Sequence, residues 1–290
     1  MPTRYLLVLL LSLTGYTHGL DEQQRPVRDL VADLASRDAA VRARASCELK
    51  DQGQLAADAI DPLVALLGDA TPVDPAVCRE RWWRSDDQET TPGHLAAAAL
   101  VGIGRRSMAP LVAVLQQPSW IARRHAAWAL GALDDPQALT PLIGALRDQE
   151  PPVREQAAWA LGAIDSSEAV QALIAALKDS DAQVRKQVAW ALGAIDDRRA
   201  VPGLVAALKD SAPDVRKQAA WALGAIDDAG AVEALVEALR DANAGVRSQA
   251  AWALGAIGDR RATDGLVGAL KDTVSDVRRQ AAWALGAIGH

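Results

Sequence analysis

Two kinds of apolar stripe alternate along the second half of this chain. With Val184 at zero on a helical wheel of about 100° per residue, Val188, Ala191, Leu192 and Ile195 fall within roughly 100° of one another. That spacing predicts a helix with one buried face. Val201, Leu204, Val205 and Leu208 form a similar stripe, with Asp196-Asp197 before it and Lys209-Asp210-Ser211 after it. The polar clusters are turns, so the unit reads helix, turn, helix, turn.

The unit recurs. Trp128, Trp159, Trp190, Trp221, Trp252 and Trp283 are each 31 residues from the next. Around each stand a preceding Arg and a following Ala-Leu-Gly-Ala. A fixed period of this length predicts stacked supersecondary units whose core is spread along the stack. The frame Asp-x-x-x-x-Val-Arg-x-x-Ala-Ala-x-Ala-Leu-Gly-x-Ile resembles HEAT-like repeats of the type named for phycobilisome lyases, and the resemblance covers almost everything after residue 95. It implies an all-α, right-handed α-α superhelix of about eight helix pairs, with the second helices lining the concave surface.

The rest of the chain divides around this array. Residues 1–19 carry a single positive charge, Arg4, an apolar run from Tyr5 to Leu13 and small residues at Thr17 and Gly19, which reads as a secretory signal peptide. The run is shorter than the ~20 residues of a transmembrane helix, so no stable membrane span is expected after cleavage. Residues 20–68 align as an irregular first repeat, in which Val41-Arg42 matches Val184-Arg185 and Cys47 falls in the tryptophan slot. Residues 69–94 hold an insertion with Cys78 and the run Arg79-Glu80-Arg81-Trp82-Trp83-Arg84. Repeats resume over 95–290. The expected compartment is periplasmic or extracellular, where a Cys47–Cys78 disulfide is the simple expectation and a pair of buried thiols the alternative.

Chemistry is hard to find. Two cysteines and the scattered His18, His94, His125 and His290 do not make a metal site. There is no nucleophile elbow, phosphate loop or Cys/His arrangement. A hydroxylase of the wider repeat superfamily holds two irons with His-Glu pairs, and no such pair occurs here. No catalytic residue and no cofactor are therefore expected. Asp148, Asp179, Asp210, Asp241 and Asp272 lie six residues before Arg154, Arg185, Arg216, Arg247 and Arg278. They are read as helix caps and as an Asp/Arg ladder along the turns.

Function then falls on the tryptophans. Trp190 sits near 240° on the wheel, with Lys186 near 200° and Gly193 near 180°, roughly opposite the core stripe. The resemblance thus implies six indoles in a row on the concave face. Arg124, Lys186, Lys217 and Arg279 stand four residues before four of them, a spacing that allows cation–π contact. Either the indoles lie over the next repeat's alanines and glycines as packing, or they form a binding row; both can hold at once. The reading is a scaffold for a protein or peptide partner, with Trp82, Trp83, Arg81 and Arg84 at the groove mouth. An accessory role to a chromophore-bearing or other enzyme, and glycan binding on the Trp row, are the alternatives. A formal net charge of -6 argues against nucleic acid. The chain closes on a second helix at His290, which leaves end-to-end self-association open.

Overall fold

The computed structural model describes residues 24–78 and 90–289. The predicted signal segment, the groove-mouth residues Arg81, Trp82, Trp83 and Arg84, and His290 lie outside them. Among the described residues the elements are helical throughout and pair as the period predicts. The pairs are α1 Val27–Leu34 with α2 Ala39–Gln52, α3 Ile60–Leu66 with α4 Pro92–Ile103, α5 Met108–Val114 with α6 Trp120–Ala132, and α7 Leu139–Ala145 with α8 Pro151–Ala163. Then follow α9 Val170–Ala176 with α10 Ala182–Ile195, α11 Val201–Ala207 with α12 Pro213–Ile226, α13 Val232–Ala238 with α14 Ala244–Ile257, and α15 Thr263–Ala269 with α16 Ser275–Ile288. The result is an α-solenoid. Helix α4 begins at Pro92, within the span assigned to the insertion, because Thr91 caps it through a hydrogen bond from the His94 amide.

Each repeat is punctuated by the same local chemistry. A second helix ends on a residue in the left-handed region, Asp134, Asp165, Asp196 or Asp227, with φ of 50–53°; Gly258 fills the slot once, at 68°. The next residue caps a short 3-10 turn that feeds the first helix, as Asp197 does by accepting from the Arg199 amide. The core stripes pack as the wheel requires: Val188, Ala191 and Leu192 are fully buried and Ile195 nearly so, against α9, whose Val170 and Leu173 are fully buried too.

Along the stack, the second helices press closely against one another while successive first helices scarcely touch. Small residues explain the difference. A Cβ on Gly193 would stand 2.8 Å from the Cα of Ala222 in the next repeat, and one on Gly224 would stand 2.7 Å from that of Ala253. Backbones this close need glycine on one side.

Charge ties the same joints at the turns. Arg185 donates from Nε and Nη2 to the two carboxylate oxygens of Asp210 at 2.7 and 2.8 Å, and from Nη1 to the carbonyl of Asp179 in its own repeat at 2.8 Å. Arg123, Arg154, Arg216 and Arg247 do the same to Asp148, Asp179, Asp241 and Asp272. Arg42 grips Asp69 in the first repeat. The ladder is as expected, but the capping role is not. Asp179 accepts from the Asp181 amide two residues on, and Asp181 is the cap of α10. One rung is absent: Gly93 occupies the arginine slot of α4 and Gln117 the matching aspartate slot.

Candidate binding face

The geometry of the stack decides which side of a second helix is open. On the wheel, the flank near Gly193 abuts the following repeat and the flank near Ala191 the preceding one, while Val188 and Leu192 face the first helix. What remains open is an arc centred near 250°, and Trp190 lies in its middle. Trp128, Trp159, Trp190, Trp221 and Trp252 are half-buried against the core, and Trp283 is 48 % exposed.

From Trp159 onward each indole leans in the direction opposite to the expected one. It covers the glycine of the preceding repeat: Cζ3 of Trp190 lies 2.8 Å from where a Gly162 Cβ would be, and Cζ3 of Trp221 lies 2.7 Å from that of Gly193. Helical side chains point back toward the helix N-terminus, and here that tilt carries the ring onto the glycine gap. The lean also removes the expected cation–π pairs, because the cation four residues earlier projects toward the other flank. Among the described residues the aromatic contacts are instead those of His94, with Trp128 at 5.3 Å and with His125 at 5.9 Å between ring centroids.

Of the four cations only Arg279 is in an ion pair among the described residues. Arg124 is half-buried, and burial lowers its pKa, opposed by the field of Glu155. Burial raises Glu155, helped by Asp181 and opposed by Lys186 and Arg124. Arg279 pairs with Asp276 at 3.0 Å. No group of histidines, cysteines and carboxylates among the described residues is arranged to hold a metal ion.

The N-terminal end of the face is covered. Cys47 and Cys78 form a disulfide with Cα atoms 6.0 Å apart. Cys78 packs with Ala43, Leu95, Val73 and Val77, and Ala43, Leu95 and Cys47 occupy slots that belong to the open arc in later repeats. Ala98, in the tryptophan slot of α4, is 2 % exposed. Beside this cover lie two buried histidines that sequence reading left unassigned. His125 Nδ1 is 2.7 Å from the carbonyl oxygen of Leu67. Burial pushes the pKa of His94 down to about 4, with Arg124 adding to it; His125 falls to about 4 for the same first reason, against the bond to Leu67. Both were visible as helical residues, but not the contacts with Leu67, Gly93 and Trp128 that enclose them.

These features define a helical-repeat protein whose second helices present one open, tryptophan-lined face. The profile of HEAT repeats matches overlapping windows from residue 85 to residue 286. The chain belongs to the HEAT-repeat family. Among solved structures, yeast importin-β is similar with a TM-score of 0.65 and 16% identity, over 92% of this chain and 42% of that chain. The Escherichia coli protein YibA is similar with a TM-score of 0.61 and 18% identity, over 96% of this chain and 100% of that chain. The complex of CpcE and CpcF of phycocyanin lyase from Nostoc is 22% identical over 96% of this chain and 100% of that chain, with a TM-score of 0.44. No curated protein matches the sequence.

Proposed function

We propose that this protein is an exported, non-enzymatic scaffold that holds a protein or peptide partner along the concave surface of its second helices. The observation that carries the reading is the row of indoles from Trp128 to Trp283, each braced on one side by a glycine of the preceding repeat, where there is one, and open on the other. Half-packed tryptophans with nearby arginine and lysine have the composition of binding hot spots. The close packing of the second helices, against the loose packing of the first, supports placing the row on the inside of the curve. The Cys47–Cys78 bond supports an oxidising compartment.

Replacing Trp159, Trp190 and Trp221 together by Ala tests the reading. Capture of the protein's partner from the exporting cell's envelope is expected to be lost while far-UV helical content persists. Capture that survives in the folded triple variant overturns it.

A further inference from the structure

A second row accompanies the indoles. Three residues before each tryptophan from α8 onward stands a glutamine: Gln156, Gln187, Gln218, Gln249 and Gln280. All five are half-buried. Gln52 shows what a satisfied amide looks like in this fold, its Nε2 donating to the Arg25 carbonyl at 2.7 Å. The five in the row make no hydrogen bond with the described protein, and none is sealed from solvent. In α6 the same slot holds His125, whose ring nitrogen is engaged by Leu67. The amide row therefore begins where the covered end of the face stops.

On the wheel, Gln187 lies about 60° to one side of Trp190 and Lys186 about 40° to the other. Each of these repeats thus presents, across its open arc, an amide that can donate and accept and a flat apolar ring, joined by a cation in α10, α12 and α16, by Glu155 in α8 and by Ser248 in α14. Lys186 and Lys217, in adjacent central repeats, form no ion pair, and Lys217 is exposed. The acidic positions on that arc are Glu155, whose carboxylate feels the field of Lys186, and Asp214 at the first turn of α12.

The repeat distance selects the ligand conformation. Packed helices lie about 8–10 Å apart, and glycine–alanine contacts place these at the short end of that range. Two residues of a β-strand advance only about 6.7 Å and cannot be stretched to match. Three residues of a polyproline II helix advance about 9.3 Å, and its side chains repeat every third residue. A slightly oblique path takes up the small excess. Its backbone carbonyls, with no internal hydrogen bonds, are free for the glutamine amides, and proline rings suit flat indoles.

Resting on the groove reading above, we infer that the inner face recognises a proline-rich, acidic segment in the polyproline II conformation, with three ligand residues per repeat. One proline covers an indole, one carbonyl accepts from a glutamine, and a carboxylate in the third position meets Lys186 or Lys217.

The test uses the full chain and three synthetic peptides, five copies each of Pro-Pro-Glu, Gly-Ser-Glu and Pro-Pro-Lys, followed by tryptophan fluorescence and calorimetry. The Pro-Pro-Glu peptide is expected to bind, and each of the others to bind at least about tenfold more weakly. A folded variant with Gln187, Gln218 and Gln249 replaced by Leu should lose about tenfold or more, three hydrogen bonds at about 1 kcal/mol each being sufficient for that. Equal binding of Gly-Ser-Glu, undiminished binding by the glutamine variant, or binding of a neutral oligosaccharide in place of all three peptides would overturn the inference. Failure of every peptide, with partner capture still dependent on Trp159, Trp190 and Trp221, sinks the inference and leaves the groove reading standing. Capture independent of those tryptophans sinks the groove reading itself.

Discussion

Two glycines in equivalent slots face opposite conditions. A methyl at Gly193 would meet the Ala222 backbone and the Trp221 ring, whereas nothing lies within 4 Å of the same position at Gly286. Gly286→Ala should stabilise the chain by about 0.5–1 kcal/mol through helix propensity. Gly193→Ala should destabilise it by about 1–3 kcal/mol, because overpacking outweighs that gain. Chemical denaturation of the two variants measures both, and equal signs would disprove the packing account. The glycine's place opposite the core stripe was legible in the sequence. Its neighbour was not, since the wheel describes one helix and says nothing about which adjacent repeat lends the ring. The misjudged lean of the indoles has the same origin.

At the scale of the element, the Arg–Asp rungs are the firmest polar joints. Arg185 and Asp210 keep only 13% and 11% of their side chains exposed, so either left alone loses its main compensation. Asp210→Ala should cost about 2–4 kcal/mol, more than a surface pair would, since breaking a largely buried pair strands the partner. The hydrogen bonds from Arg185 hold Asp210 below the usual carboxylate range against the cost of burial. The period of 31 made these pairs readable, because a charge that recurs at every turn must meet its copy. The buried histidines were not readable, for their environment is supplied by an irregular segment. His94 and His125 stay neutral in the fold down to about pH 4. The unfolded chain takes up those protons from about pH 6.5, so it binds more protons than the native state in between. Stability is therefore complete above pH 6.5 and falls as the pH drops toward 4. Urea midpoints across that window should decline, and His125→Gln should flatten the decline; a profile level from pH 7 to 4.5 would contradict this burial.

For the whole molecule, the architecture followed from periodicity because each copy repeats the same local instructions, and consistency across copies is strong evidence for one fold. The binding chemistry was only half visible. The tryptophans stood out by type, while the glutamines look like ordinary surface residues until their lack of partners is seen in three dimensions. Among the described residues no helix is long and apolar enough to cross a membrane, and all are committed to the stack. The absent rung at Gly93 and Gln117 has a mechanical consequence. Every joint from α6 to α16 is riveted by an arginine fork, and α2 is bound to the chain ahead of α4 through Arg42–Asp69 and the Cys47–Cys78 bridge. Between those two bodies, α4 and α6 meet without a fork, through alanines and through His94 against His125 and Trp128. A spring with one soft coil stores its bending there, so the molecule is expected to flex as two levers about that joint.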